Sequence, residues 1–317
     1  MTDGLMESLS LVFEGGFKLS GGILGFDHPG AGLSFLSSAE VPGAWRSRKP
    51  LCTETTASLL RNLRREFRAL VLPYSRPTGI GSIIVTLFPA APLPGAAAIL
   101  VEHGGRRLLY CAGLPDRSVH LPACDIVAAV VAPEPGLPSA DFRERLTRSV
   151  TTALSAGMTP VIRSNSFGGA IAVSQALSLA GVPCRQHENG FRHNAVWRAT
   201  GFDSCLCARL GSRIPAGSAV LLPLHLSQGA VESRIVAPWR ICVARPGEDG
   251  GPAPCDELIR LHAGLEPVSM VELVSRTSPA EVVVWGQGAE PCRAMLAGSG
   301  VEVRTVDGTR QCALDLS

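Results

Sequence analysis

From the N-terminus to about Cys124, apolar and polar residues alternate in short runs with the period of strands. Leu9 to Phe13 and Phe17 to Leu19 are brief apolar runs separated by Gly15-Gly16, the pattern of two short strands. One stretch breaks the rhythm. Between Thr53 and Leu70, apolar residues recur at Leu59, Leu60, Leu63, Phe67 and Leu70, and Arg61, Arg64, Arg65 and Arg68 fill the remaining face. That spacing predicts an amphipathic helix, opened by Thr53, Thr55 and Thr56 with Glu54 as the acidic residue of its first turn. Ile83 to Phe88, Ala97 to His103 and Arg107 to Cys111 follow as strands. The last two are joined by Gly104-Gly105, a two-residue hairpin signal.

Beyond Cys124 the rhythm becomes strand, helix, strand. Ile126 to Ala132 is a continuous apolar strand, Asp141 to Ala156 an amphipathic helix, and Thr159 to Arg163 a buried strand. Gly168 to Ala180 reads as a helix, and Val182 to Arg185 begins another strand. After the loop around Pro246 to Pro254 come a helix over Pro267 to Arg276, a strand over Glu281 to Trp285, a helix over Ala289 to Gly298 and a strand over Val301 to Val306. Apolar strands alternating with helices predict a parallel sheet covered on both faces, hence an α/β class.

Composition bounds the reading. The chain has 317 residues, enough for about two domains at roughly 150 residues each. Charged residues are 18% and hydrophobics 46%, the balance of a globular chain with an apolar surface or a large interface. Net charge is only +2, which gives no argument for nucleic acid by itself. Lys18 and Lys49 are the only lysines, so arginine, a bidentate partner for phosphate and carboxylate, carries the positive charge. No basic segment followed by an apolar core opens the chain, and no apolar run approaches the 18 or so residues of a membrane span. The 10 cysteines include no CxxC pair. Cys205 and Cys207 stand too close and too alone for a zinc site, and the pattern is that of a reduced, cytoplasmic protein.

The hairpin region, Val85 through Leu114, with Tyr110-Cys-Ala-Gly-Leu at its end, resembles a segment of the β-CASP metallo-β-lactamase nucleases. The likeness is to the ligase-associated DNA exonucleases and the RNA 3′-end processing nucleases in particular. It runs on in order: Leu36-Ser-Ser-Ala-Glu-Val-Pro-Gly43, Cys124-Asp-Ile-Val, Thr159-Pro-Val-Ile with Phe167-Gly-Gly-Ala, Leu261-His-Ala-Gly264 and Val283-Val-Trp-Gly286. The resemblance implies an αββα sandwich with an inserted α/β domain. The sandwich would be formed by residues 1–124 and 241–317, and the insert by 125–240. In active relatives, two zinc ions share the hydroxide that attacks phosphorus. Here the ligands of the first motif fall on Ser38, Glu40, Pro42 and Gly43. The others fall on Pro92, Gly113, Val130 and Trp285, and only His262 is kept. Pro, Gly, Val and Trp offer zinc no side-chain ligand, so no metal or other cofactor is expected.

The expectation is a catalytically inactive pseudo-nuclease. It would serve as a structural or regulatory subunit beside an active nuclease or another protein in nucleic-acid processing, repair or defence, away from membranes. Two alternatives stay open. One is residual phosphoester hydrolysis through Glu40, His262 or the turn Ser164 to Gly169. The other is a stand-alone DNA- or RNA-binding module using Arg61, Arg64, Arg65 and Arg68 with Arg46, Arg48 and Lys49. Ser164 to Gly169 otherwise reads as a plain strand-to-helix turn, His187 to His193 as a solvated loop, and Asp27-His28-Pro29 as an ordinary turn.

Overall fold

The computed structural model describes residues 10–14, 16–28, 31–90, 93–132, 139–164, 167–199, 207–223, 232–244, 254–261, 264–306 and 312–315. The chain divides into a first unit of residues 1–133 and 264–317 and a second unit of residues 134–263. Both are mixed or alternating α/β in content. Among the described residues, no helix is long and apolar enough to cross a membrane.

Two seven-stranded sheets build the first unit. One runs in the order Cys312–Asp315, Ser10–Phe13, Phe17–Leu19, Gly25–Phe26, Ser34–Phe35, Pro50–Cys52, Leu70–Val71. Its first two strands pair antiparallel, with Ser10 opposite Asp315. The other runs Glu302–Val306, Glu281–Trp285, Ile126–Val130, Arg106–Cys111, Ala97–His103, Ile83–Pro89, Thr78–Ile80.

Why the strands of this second sheet read as unbroken apolar runs is clear from their two faces. Val85, Leu87, Ile99, Val101, Leu108, Tyr110 and Ala128 share a core with Leu11, Phe13, Phe17, Phe26, Phe35 and Leu51 of the opposing sheet. Their neighbours Leu100, Leu109, Val127, Val282 and Val284 face the other way, onto Met270, Leu273, Cys292 and Leu296. Gly104 and Gly105, with φ of 56° and 83°, make the tight hairpin expected of them, since both positions need the left-handed region.

The six α-helices of the described residues are α1 (Glu54–Leu63), α2 (Ser139–Ser155), α3 (Phe167–Leu179), α4 (Glu188–Ala199), α5 (Pro267–Thr277) and α6 (Ala289–Met295). Thr53 caps α1, its hydroxyl accepting from the Thr56 amide at 3.3 Å. The second unit is a six-stranded, all-parallel sheet in the order Cys207–Arg209, Cys184–Gln186, Ala219–Pro223, Thr159–Ser164, Pro238–Ala244, Glu257–Arg260. On one face, Phe142, Leu146 and Val150 of α2 and Val173 and Leu177 of α3 pack on Ile162, Leu221, Ile241 and Ile259.

Three sequence expectations are corrected. The helix predicted over Thr53 to Leu70 ends at Leu63, where Arg64 turns extended (φ −139°, ψ 105°). Phe67 instead turns into the core, and Leu70 starts a strand against Leu51, so their apolar character serves a turn and a strand. Arg64, Arg65 and Arg68 therefore do not share a helix face with Arg61. Next, the stretch from His187 is not a loop. It opens α4, with Glu188 in the acidic first turn and paired to Arg192 one turn on. Last, the inserted unit is bounded at 133/134 and 263/264 rather than at 124/125 and 240/241. Ile126–Val130 hydrogen-bonds between strands of the first unit, while Pro238–Ala244 and Glu257–Arg260 extend the second unit's sheet.

Candidate functional site

Three parallel strands of the first unit end side by side. Cys111 lies opposite Ala129, and Val130 lies opposite Trp285. The residues that follow therefore collect at the carboxyl ends of these strands, the place where open α/β sheets hold their chemistry. Gly113, Val130 and Trp285 come together there, and Gly264-Leu265 joins them through the bridge of Leu265 to Val131. The Trp285 ring leans on Phe13, centroids 5.2 Å apart, beside the core between the sheets.

Backbone closes tightly over these strand ends. Val131 donates its N–H to the Trp285 carbonyl at 2.8 Å. A Cβ on Gly286, whose φ is 109°, would lie 2.4 Å from the Val131 carbonyl oxygen, and one on Gly288 would lie 2.0 Å from that of Ala132. Only glycine permits such an approach.

Asp27 ties the loop after Phe35 to the strand Arg106–Cys111. Its carboxylate accepts the Ser37 N–H at 2.7 Å, the Ser37 hydroxyl at 2.6 Å and the Tyr110 hydroxyl at 2.8 Å. The Asp27 backbone is left-handed at φ 49°, which aspartate tolerates better than most residues. Tyr110 is fully buried among Phe17, Phe26 and Phe35, so its hydroxyl needs this partner. Past Ser37 the chain turns, the Glu40 amide donating to the Ser38 hydroxyl at 3.2 Å. Glu40 is half-buried, Pro42 is exposed, and Gly43 (φ 73°) leads into a short 3₁₀ turn over Ala44–Arg46.

Burial holds the Asp27 carboxyl above its usual range, against the lowering effect of the bonds from Ser37 and Tyr110. Between the unfolded value of 3.8 and the raised folded value, the folded chain keeps a proton that the unfolded chain has lost. Stability from this group is therefore full below that window and lost as pH rises through it. Urea midpoints of the native chain and Asp27→Asn, compared from about pH 3 to pH 7, should show the native advantage shrinking as pH rises. A gap that widens would contradict the assignment.

Of the metal-motif positions, Pro92 and His262 lie outside the described residues. Glycine, valine, proline and tryptophan at the others have no side chain suited to a zinc ion, which needs deprotonated N, O or S donors. Ser38 and Glu40 supply the only side-chain oxygens among the described positions. A zinc pair of the kind the resemblance implies for active relatives does not fit this donor set. Among the described residues, no cluster of three or more His, Cys, Asp or Glu side chains is placed to hold a metal ion.

The basic segments do meet. The Arg64 guanidinium donates to the Trp45 carbonyl at 3.4 Å, bringing residues 64–68 beside residues 45–49. Arg46, Arg48, Lys49, Arg64, Arg65 and Arg68 are all exposed. Beside Arg46 and Arg64, Trp45 is 40% exposed, with the Arg46 guanidinium 4.5 Å from its ring centre. Arg61, by contrast, is engaged with Glu54 at 2.7 Å within α1. Ser164 is buried at the end of its strand, and the turn it opens is described only from α3 onward. His187 and Glu188 line a cavity of about 580 Å³ with Arg209, Ser212, Ile214 and Arg234 in the second unit. The His193 side chain and Cys205 lie outside the described residues.

Sequence reading missed the Asp27–Ser37–Tyr110 triangle. Its signal was the placement of Tyr110, a hydroxyl in an otherwise apolar central strand, which must find a buried acceptor.

No protein-family model matches the chain, and no curated protein matches it. The chain is similar in structure to a protein of unknown function from Enterococcus faecalis V583, known from a crystal structure. The TM-score is 0.63 and the identity 14%, covering 89% of this chain and 81% of that one. At that identity, the likeness speaks to the fold alone.

Proposed function

We propose that this chain is a non-hydrolysing relative of the β-CASP metallo-β-lactamase nucleases. In this reading it works as a structural subunit that holds nucleic acid beside a catalytically complete nuclease. One observation carries the reading: the positions that converge at the strand ends bear Gly113, Val130 and Trp285, with the Trp285 ring turned onto Phe13. Active relatives need cation ligands in those places, and these side chains supply none. The layering supports the same reading. Two sheets pack face to face with α5 and α6 against the outer side of one, and a separate parallel α/β unit is inserted between residues 133 and 264.

The face offered to nucleic acid is the basic patch around Trp45. Guanidinium groups neutralise phosphates and release counterions, while an exposed indole is a stacking platform for an unpaired base. The purified chain, given zinc or manganese, is expected to release no nucleotides from end-labelled DNA or RNA while retaining single strands in a salt-dependent way. Replacing Arg64 and Arg65 with glutamine should lower the slope of log affinity against log salt by about 1.4. Turnover by the lone chain that is lost in Glu40→Gln would overturn the proposal, as would a salt slope that Arg64 and Arg65 do not affect.

A further inference from the structure

In the second unit, Cys207 opens the edge strand Cys207–Arg209 and lies directly opposite Cys184 on the neighbouring parallel strand. Paired residues on adjacent strands stand about 4.8 Å apart, within the Cα range a disulfide spans. Their side chains lie on the same face of the sheet, within interaction range of each other. A cage of buried polar side chains surrounds them. Gln186 directs its amide N–H groups at the Cys207 sulfur (3.2 Å) and the Ser174 oxygen (2.5 Å), and its own carbonyl accepts from Asn194 at 2.5 Å. Gln186, Ser174 and Asn194 are all essentially sealed from solvent.

Such a cage has a direction. Asn194 fixes the rotation of the Gln186 amide, so donors and not acceptors point at the Cys207 sulfur. An N–H donor aimed at a buried sulfur favours its anionic form. The hydrogen bond from Cys184, helped by Ser174 and the charge of Arg198, holds Cys207 below the usual thiol range despite burial, and the same bond raises Cys184. Elsewhere in the chain, burial pushes the thiols of Cys52, Cys124 and Cys292 up to about 12, 11 and 11. Cys207 also sits on the strand that borders the cavity lined by Arg209, at 9% exposure, while Cys184 is at 1%. The arrangement sets a sulfur that accepts an amide N–H beside a second thiol within disulfide reach.

We propose that Cys207 and Cys184 form a reversible dithiol–disulfide pair oxidised by small hydroperoxides. The Cys207 thiolate attacks the terminal oxygen of ROOH, forming an S–O bond and breaking the O–O bond. The released alkoxide takes up a proton and leaves as ROH. Cys184 then gives up its thiol proton and its sulfur displaces hydroxide from the Cys207 sulfenic acid, forming the S–S bond and releasing water. The two thiols lose two electrons together and the hydroperoxide gains them. This pair belongs to the second unit and depends on neither the strand-end site nor the nucleic-acid reading.

An equimolar dose of hydrogen peroxide on the reduced full chain is expected to remove about 2 Da and to yield, on non-reducing digestion, a fragment pair joined through Cys184 and Cys207. Fragment-ion sequencing separates Cys207 from Cys205, and dithiothreitol restores the starting mass. Cys184→Ser is expected to stop at a sulfenic acid on Cys207 that dimedone captures. Gln186→Leu should move the pH midpoint of Cys207 alkylation upward. The native chain's own cross-link map requires no substitution, so a variant that fails to fold leaves the result readable. Peroxide that oxidises Cys255 or Cys205 while Cys184 and Cys207 stay reduced overturns the proposal, as does a Gln186→Leu profile that stays in place.

Discussion

Asp27→Ala is expected to destabilise the first unit by about 3–5 kcal/mol, because it orphans the buried Tyr110 hydroxyl and Ser37 amide at about 1–3 kcal/mol each. Alanine also fits the left-handed backbone at φ 49° poorly. Tyr110→Phe removes one donor while leaving Asp27 with both Ser37 bonds, so its cost should be only about 1–2 kcal/mol. Urea titrations of both variants check the order. A loss of less than about 1 kcal/mol in Asp27→Ala would mean that the triangle does not hold the loop after Phe35 to the central sheet.

The second large effect belongs to the turn after Trp285. Gly286→Ala and Gly288→Ala put a methyl group within 2.4 Å and 2.0 Å, respectively, of backbone carbonyl oxygens, which cannot swing aside as a flexible side chain could. Each is expected to cost about 4 kcal/mol or more. Gly300, with φ 80° and open space around its Cβ position, is the control. Gly300→Ala meets only the left-handed backbone penalty of about 1–2 kcal/mol. Thermal melts of the three variants compare them directly, and equal shifts would show that the strand end relaxes and is not closed by the approach of Val131 and Ala132.

What could be read from residues alone was strongest where both faces of a strand are buried. Ile83 to Phe88, Ala97 to His103 and Glu281 to Trp285 are apolar runs of strand length, and they stand as strands over Ile83–Pro89, Ala97–His103 and Glu281–Trp285. Helix α4 escaped for the opposite reason. Asn189, Gly190, Arg192, His193 and Asn194 leave it no apolar stripe; the Glu188–Arg192 pair and the bond from Asn194 to Gln186 support it instead. The basic cluster was visible as residues but misplaced, because Arg64 leaves the helix and reaches Trp45 across a gap in sequence. The cysteine pair was invisible in principle. Only the parallel register that sets Cys184 against Cys207 makes them neighbours, and α4 lies between them in the chain.

The division of the chain bears on how it is made. Residues 134–263 are continuous, so the second unit has all its strands as soon as they leave the ribosome. The first unit does not. Its central sheet waits for Glu281–Trp285 and Glu302–Val306, and the opposing sheet for Cys312–Asp315 beside Ser10–Phe13. During synthesis, the early strands must sit with bare edges until residues 312–315 have emerged, the interval in which sticky strand edges recruit chaperones or one another.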